Sequence, residues 1–123
     1  MARIRITAGE ASLEADLNES TTAKKLLEAL PITGRGNRWG DEIYFSIPVE
    51  ADEDPAARAD MQVGEIAYWP PGSAFCIFWG PTPASSGSEP RAASPVNPLG
   101  TIDGDATQFG AVGSGTKVTI EAV

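Results

Sequence analysis

Two stretches of this sequence hold the residues that could do chemistry: Thr33 to Gly40, TGRGNRWG, and Gly64 to Pro83, GEIAYWPPGSAFCIFWGPTP. Arg38 offers a fixed, planar charged donor for a carbonyl or carboxylate, with Asn37 and Trp39 beside it. Tyr44, Trp69, Phe75 and Phe78 could supply the apolar walls of a groove holding a small molecule or an extended peptide. Each of these aromatics also suits a packed core. Trp39 is the strongest candidate, because it sits in a polar, glycine-rich segment.

Other chemistries find little support. The chain has no histidine, so serine–histidine and cysteine–histidine hydrolysis are excluded. Cys76 is the single cysteine; it cannot form an internal disulfide, and with no base to activate it, it reads as a small core residue. Asp41 and Glu42 are adjacent, so a strand would send them to opposite faces and they make a poor catalytic dyad. The glycines of Thr33–Gly40 lack the lysine–serine pair and the strand-to-helix setting of a phosphate loop. Glu50 to Asp60 holds five acids against Arg58 but lacks the spaced ligands of a calcium loop, and reads as a solvated loop or short surface helix. Asp103-Gly104-Asp105 fits a turn and helix cap better than a cation site. Asn97 fits a tie within its own loop better than a ligand donor. No metal or cofactor is expected.

The elements that must position these residues are mostly strands. Arg3 to Thr7 and Ala11 to Leu17 alternate as a hairpin about Gly9, with Ile4, Ile6, Leu13, Ala15 and Leu17 on inward faces. Ser20 should cap a helix whose Ala23, Leu26, Leu27 and Leu30 recur at helical spacing and which Pro31 ends. Ile43, Phe45 and Ile47 define a third strand. Glu65 to Trp69 and Ala74 to Trp79 should pair across Pro70-Pro71-Gly72, with Gly72 available for positive φ. In AFCIFW both faces are apolar, so this strand should be covered on both sides. Pro83 to Pro98 reads as a long polar loop, Leu99 to Asp103 as a returning strand and Gly104 to Phe109 as a short helical turn. Gly113 to Gly115 reads as a hinge before a last strand, Thr116 to Ala122. The fold expected is mainly β: a closed barrel, its main helix plugging one end, with a short second helical turn.

At 123 residues and 41% hydrophobic content the chain fits one domain spanning 1–123. A formal charge of -8 argues against nucleic acid as a partner. It favours solubility, while self-association through a sheet edge or the proline-rich loop stays open. No apolar run is long enough to span a bilayer, which argues against a membrane partner, and the N-terminus lacks a signal segment, so the cytoplasm is the expected compartment.

Several stretches carry a family resemblance: NRWGDEIYFSIPV at Asn37 to Val49, VGEIAYWPPGSAFCIFWGPTP at Val63 to Pro83, SPVNPLGTI at Ser94 to Ile102, and LLEALP before them. Together they resemble the small prokaryotic cyclophilin-like domain family over most of the chain. The resemblance implies a compact cyclophilin-type β-barrel and no settled biochemical activity. Cyclophilin isomerases share a phenylalanine-histidine-arginine stretch and a glutamine-glycine-glycine-aspartate stretch, both missing here. Arg38 lies in the region where such an arginine would be sought, within Asn-Arg-Trp. A binding barrel without efficient prolyl isomerase activity is therefore the first expectation, and a weak or specialised isomerase using Arg38 the alternative.

Overall fold

The computed structural model describes residues 2–123. The chain forms β1 (Arg3–Ala8), β2 (Ala11–Leu17), α1 (Thr21–Ala29), β3 (Ile32–Arg35), β4 (Asn37–Arg38), β5 (Glu42–Ser46), β6 (Arg58–Asp60), β7 (Glu65–Trp69), β8 (Ala74–Phe78), β9 (Arg91–Asp103) and β10 (Lys117–Ala122). Two 3-10 turns, Pro70–Gly72 and Ala106–Ala111, complete the order. All ladders are antiparallel, and the strand order is β3-β10-β1-β2-β9-β7-β8-β5-β4, with β6 on β9. No helix among the described residues is long and apolar enough to cross a membrane.

The sheet is not closed by hydrogen bonds, which corrects the expected closed barrel. Its end strands, β3 and β4, are consecutive in the chain and are separated by Gly36 alone. Gly36 donates to the carbonyl of Thr116 just before β10, and a Cβ on it would meet Ile43 of β5 at 2.9 Å and Val118 of β10 at 3.1 Å. The glycine run of Thr33–Gly40 is thus edge strand over most of its length. Its small residues let backbone approach backbone where the two edges come together.

Alternation decides the two faces. Ile4 and Ile6 of β1, Ala15 and Leu17 of β2, Ile43 and Phe45 of β5, Phe75 and Ile77 of β8, and Val118 and Ile120 of β10 share the main core. Helix α1 adds Ala23 and Leu26, and the Ser20 hydroxyl accepts from the Ala23 amide at 3.2 Å as the expected cap. The other face of β8 carries Ala74, Cys76 and Phe78 into a second core with Ala67, Met61, Ala92 and Val96. So β8 is covered on both sides, the second cover being the β9 strand and the Met61 segment rather than a helix.

Four local readings change, the first being that Arg58–Asp60, expected within a solvated loop or short surface helix, pairs with β9 as a strand. The residue with positive φ at the β7–β8 turn is Ser73, at 46°; Gly72 is needed for space, since a Cβ there would lie 2.7 Å from Cζ3 of Trp69. The loop expected from Pro83 to Pro98 ends at Pro90, because β9 starts at Arg91. Pro98 sits at the irregularity in the β7–β9 ladder, and Pro95 lies where β6–β9 pairing shifts register, so neither removes a required ladder bond. Strand β8 stops at Phe78, one residue short of Trp79.

Candidate functional site

On the face opposite the main core, a cavity of about 250 Å³ is lined by Trp39, Glu42, Tyr44, Trp69, Cys76, Ala92, Ala93 and Val96. Strand pairing explains who meets there. Tyr44 lies opposite Cys76 across β5–β8, Ala67 lies opposite Cys76 across β7–β8, and Glu42 lies opposite Phe78. Glu42 therefore belongs to the apolar face that β9 covers. Trp69 is fixed by donating its indole N–H to the Ser94 hydroxyl at 2.7 Å, and Trp39 is held by its amide bond to the Glu42 carbonyl at 3.0 Å.

Glu42 is 4% exposed, and its Oε1 has no hydrogen-bond partner among the described residues. Burial pushes its pKa from 4.5 to about 7, a rise that the neighbouring Cys76 thiol partly offsets. Burial and the Glu42 carboxylate together push the Cys76 thiol well above its ordinary range, so it stays protonated and poorly nucleophilic. Among the described residues no lysine or arginine lines the cavity. The site is an apolar, aromatic pocket with one uncompensated carboxyl.

Of the seven residues expected to bind, Trp39, Tyr44 and Trp69 come together here. Phe75 is fully buried in the main core against Phe45, with ring centroids 5.9 Å apart, and Phe78 is fully buried in the second core. Asn37 uses its amide on the Tyr44 carbonyl and does not line the cavity. Arg38 points away to the other side of its strand. Its guanidinium donates to the carbonyls of Gly40, Gly110 and Val112, pairs with Asp41 at 3.4 Å, and stacks over Trp79 at 5.0 Å. Asn97, fully buried, donates to Thr22 and the Asp52 carbonyl and accepts from the Asp54 amide; it lies in β9 and ties α1 and the acidic loop to that strand, which corrects the expected tie within its own loop. Asp105 caps the second 3-10 turn by accepting from the Thr107 amide, and Asp103 pairs with Arg3.

Glu42 is the residue that sequence reasoning passed over. The signal lay in AFCIFW: if the second face of β8 is buried, the same face of its neighbour β5 is buried too, and Glu42 stands on it.

The profile of the Cyclophilin-like family matches residues 2–121. The chain belongs to the cyclophilin-like family. A hypothetical protein from Archaeoglobus fulgidus, known from its solution structure, is 36% identical to this cyclophilin-like chain, with a TM-score of 0.84 over 99% of this chain and 95% of that one. No curated protein matches. The family resemblance read from the tryptophan- and proline-rich segments is thereby shown, while the neighbour, itself a hypothetical protein, brings no activity with it.

In this cyclophilin-like chain Arg38 ties β4 to the second 3-10 turn. Arg38→Ala is expected to lower stability by about 2 kcal/mol, since it strips charged donors from three carbonyls and bares Trp79. Urea denaturation checks this; a loss below about 0.5 kcal/mol would contradict the structural role.

Proposed function

We propose that this cyclophilin-like protein is a small-molecule-binding module whose site is the pocket of Trp39, Glu42, Tyr44 and Trp69. The observation that carries the reading is the Glu42 carboxyl: buried, unpartnered at Oε1, and placed on the wall of an aromatic cavity. Buried polar groups are nearly always satisfied, and one left open inside a pocket is best explained by a partner that arrives from outside. At about 250 Å³ the cavity is below the usual range for drug-sized ligands, so the bound group is small, or is one end of a larger molecule. The engagement of every Arg38 nitrogen within its own chain favours binding over prolyl isomerisation. The two end strands meeting about Gly36 support a reading of the fold as a barrel pinned there, with the site on its outer wall.

The test is an amide NMR titration with a metabolite mixture, on wild type and on Ala93→Trp, which places an indole at the exposed rim. Shifts at Trp39, Glu42, Tyr44, Trp69 and Cys76 that vanish in Ala93→Trp are the expected result. Shifts confined to another surface, such as the cleft between Gly9 and Thr116, would overturn the assignment.

A further inference from the structure

We propose that the group bound in this pocket is an organic cation, an amine or quaternary ammonium, held against Glu42 by the faces of Trp39, Tyr44 and Trp69. The inference rests on the pocket being a binding site, and it names the ligand class. Three features of the lining lead to it. First, the lining holds one acid and no base, so an anion such as a carboxylate or phosphate would meet repulsion and find no charged donor. Second, the side-chain N–H of Trp69 is already used on Ser94, so this indole offers its π face rather than a donor. Three aromatic rings beside a carboxylate form the arrangement that attracts ammonium groups, and the attraction grows when the cation is desolvated. Third, the unpartnered Oε1 of Glu42 lacks a positive or hydrogen-donating partner, and an ammonium supplies either.

The ionisation of Glu42 gives the proposal a second readout. The titratable groups facing it are Cys76 from β8 and Tyr44 from its own strand; β9 contributes Ala92, Ala93 and Val96 to the lining, and Trp39 comes from the segment after β4. Neither β9 nor the segment after β4 brings an acidic or basic side chain to the lining. With its pKa near 7, the empty pocket is largely protonated at pH 6 and largely ionised at pH 8. A cation binds the ionised form, so binding should expel a proton. Affinity should rise roughly tenfold from pH 6 to pH 8, because about a tenth of the sites are ionised at the lower pH.

The experiment titrates wild type and Glu42→Gln with choline, Nε-trimethyl-lysine, methylammonium and putrescine, and with 3,3-dimethylbutan-1-ol, the uncharged carbon counterpart of choline. Calorimetry gives affinity and proton release, and tryptophan fluorescence reports Trp39 and Trp69. Expected is binding of at least one cation, roughly tenfold tighter at pH 8 than at pH 6, lost by tenfold or more in Glu42→Gln, with the neutral alcohol bound at least tenfold more weakly than choline where choline binds. Equal binding of choline and the alcohol, or cation binding unchanged in Glu42→Gln, overturns the cation assignment but leaves the pocket as a site. Failure of every cation also overturns it, and the metabolite titration with Ala93→Trp then judges the pocket independently.

Discussion

Glu42→Gln is expected to stabilise the protein at pH 8 by on the order of 3 kcal/mol and to leave it nearly unchanged below pH 4.5. The unfolded chain ionises this carboxyl near 4.5, whereas burial holds the folded chain's group protonated up to about 7. Across that interval the native state keeps a proton that the unfolded state has released. Stability of the wild type therefore falls as pH rises from 4.5 to 7 and stays at its lower level above. At about 1.4 kcal/mol per pH unit the interval corresponds to about 3 kcal/mol. Glutamine has nearly the same shape and cannot ionise, so the variant loses this slope. Urea midpoints at four pH values between 4 and 8 check it; a wild type as flat as the variant would mean that the carboxyl is solvated after all. On the proposed cation reading the destabilising acid would also give the pocket its specificity, since a bound cation would favour the ionised form that the empty protein resists. A residue that costs stability where it stands and helps only with a partner present is the expected mark of a functional position.

Much of the architecture was legible because alternation and punctuation are local. The isoleucines of β1, the Ser20 cap, the inward set Ile43, Phe45 and Ile47, and the two-faced AFCIFW strand all follow from neighbours within a few residues. What escaped depends on pairing across long separations. Pro95 and Pro98 look like loop residues until β9 is seen to run alongside β2, β6 and β7, with irregular pairing where the prolines fall. Gly36 looks like flexibility, yet it is the one residue between the two edges of the sheet. The site was half legible for the same reason. Trp39, Tyr44 and Trp69 stood out by type, but which aromatics share a face is set by register, and Phe75 and Phe78 went into the cores. Arg38 drew notice as a charged group beside a tryptophan, and its guanidinium is consumed by Asp41 and by carbonyls, two of which lie some seventy residues away in sequence. Glu42 was weighed only as half of a pair with Asp41, when its meaning comes from the strand beside it.

Gly100→Ala is expected to be the most damaging small substitution in the protein, costing at least about 3 kcal/mol. Gly100 lies in the middle of the sheet, opposite Leu17 of β2 on one side and Ile66 of β7 on the other. A Cβ there would fall 2.0 Å from the carbonyl oxygen of Asp16, 2.9 Å from its carbonyl carbon and 3.0 Å from the Cα of Leu17. All three atoms are backbone, so no side-chain rotation relieves the contact, and β2 must move away from β9. Strand β2 carries Ala15 and Leu17 into the main core, and the Asn18 amide beyond it bonds the Leu99 carbonyl at 2.8 Å. Displacing it opens the β2–β9 ladder and unseats apolar side chains together, in a core packed too closely to absorb the shift. Gly113→Ala is the matched control, because nothing lies within 4 Å of its added methyl and its φ is outside the left-handed region. That variant should fold like the wild type or gain a few tenths of a kcal/mol, from a stiffer unfolded chain. Urea midpoints for the pair separate close approach from a general cost of losing glycine. If Gly100→Ala lay within about 1 kcal/mol of Gly113→Ala, the β2–β9 contact would have to be looser than the sheet requires.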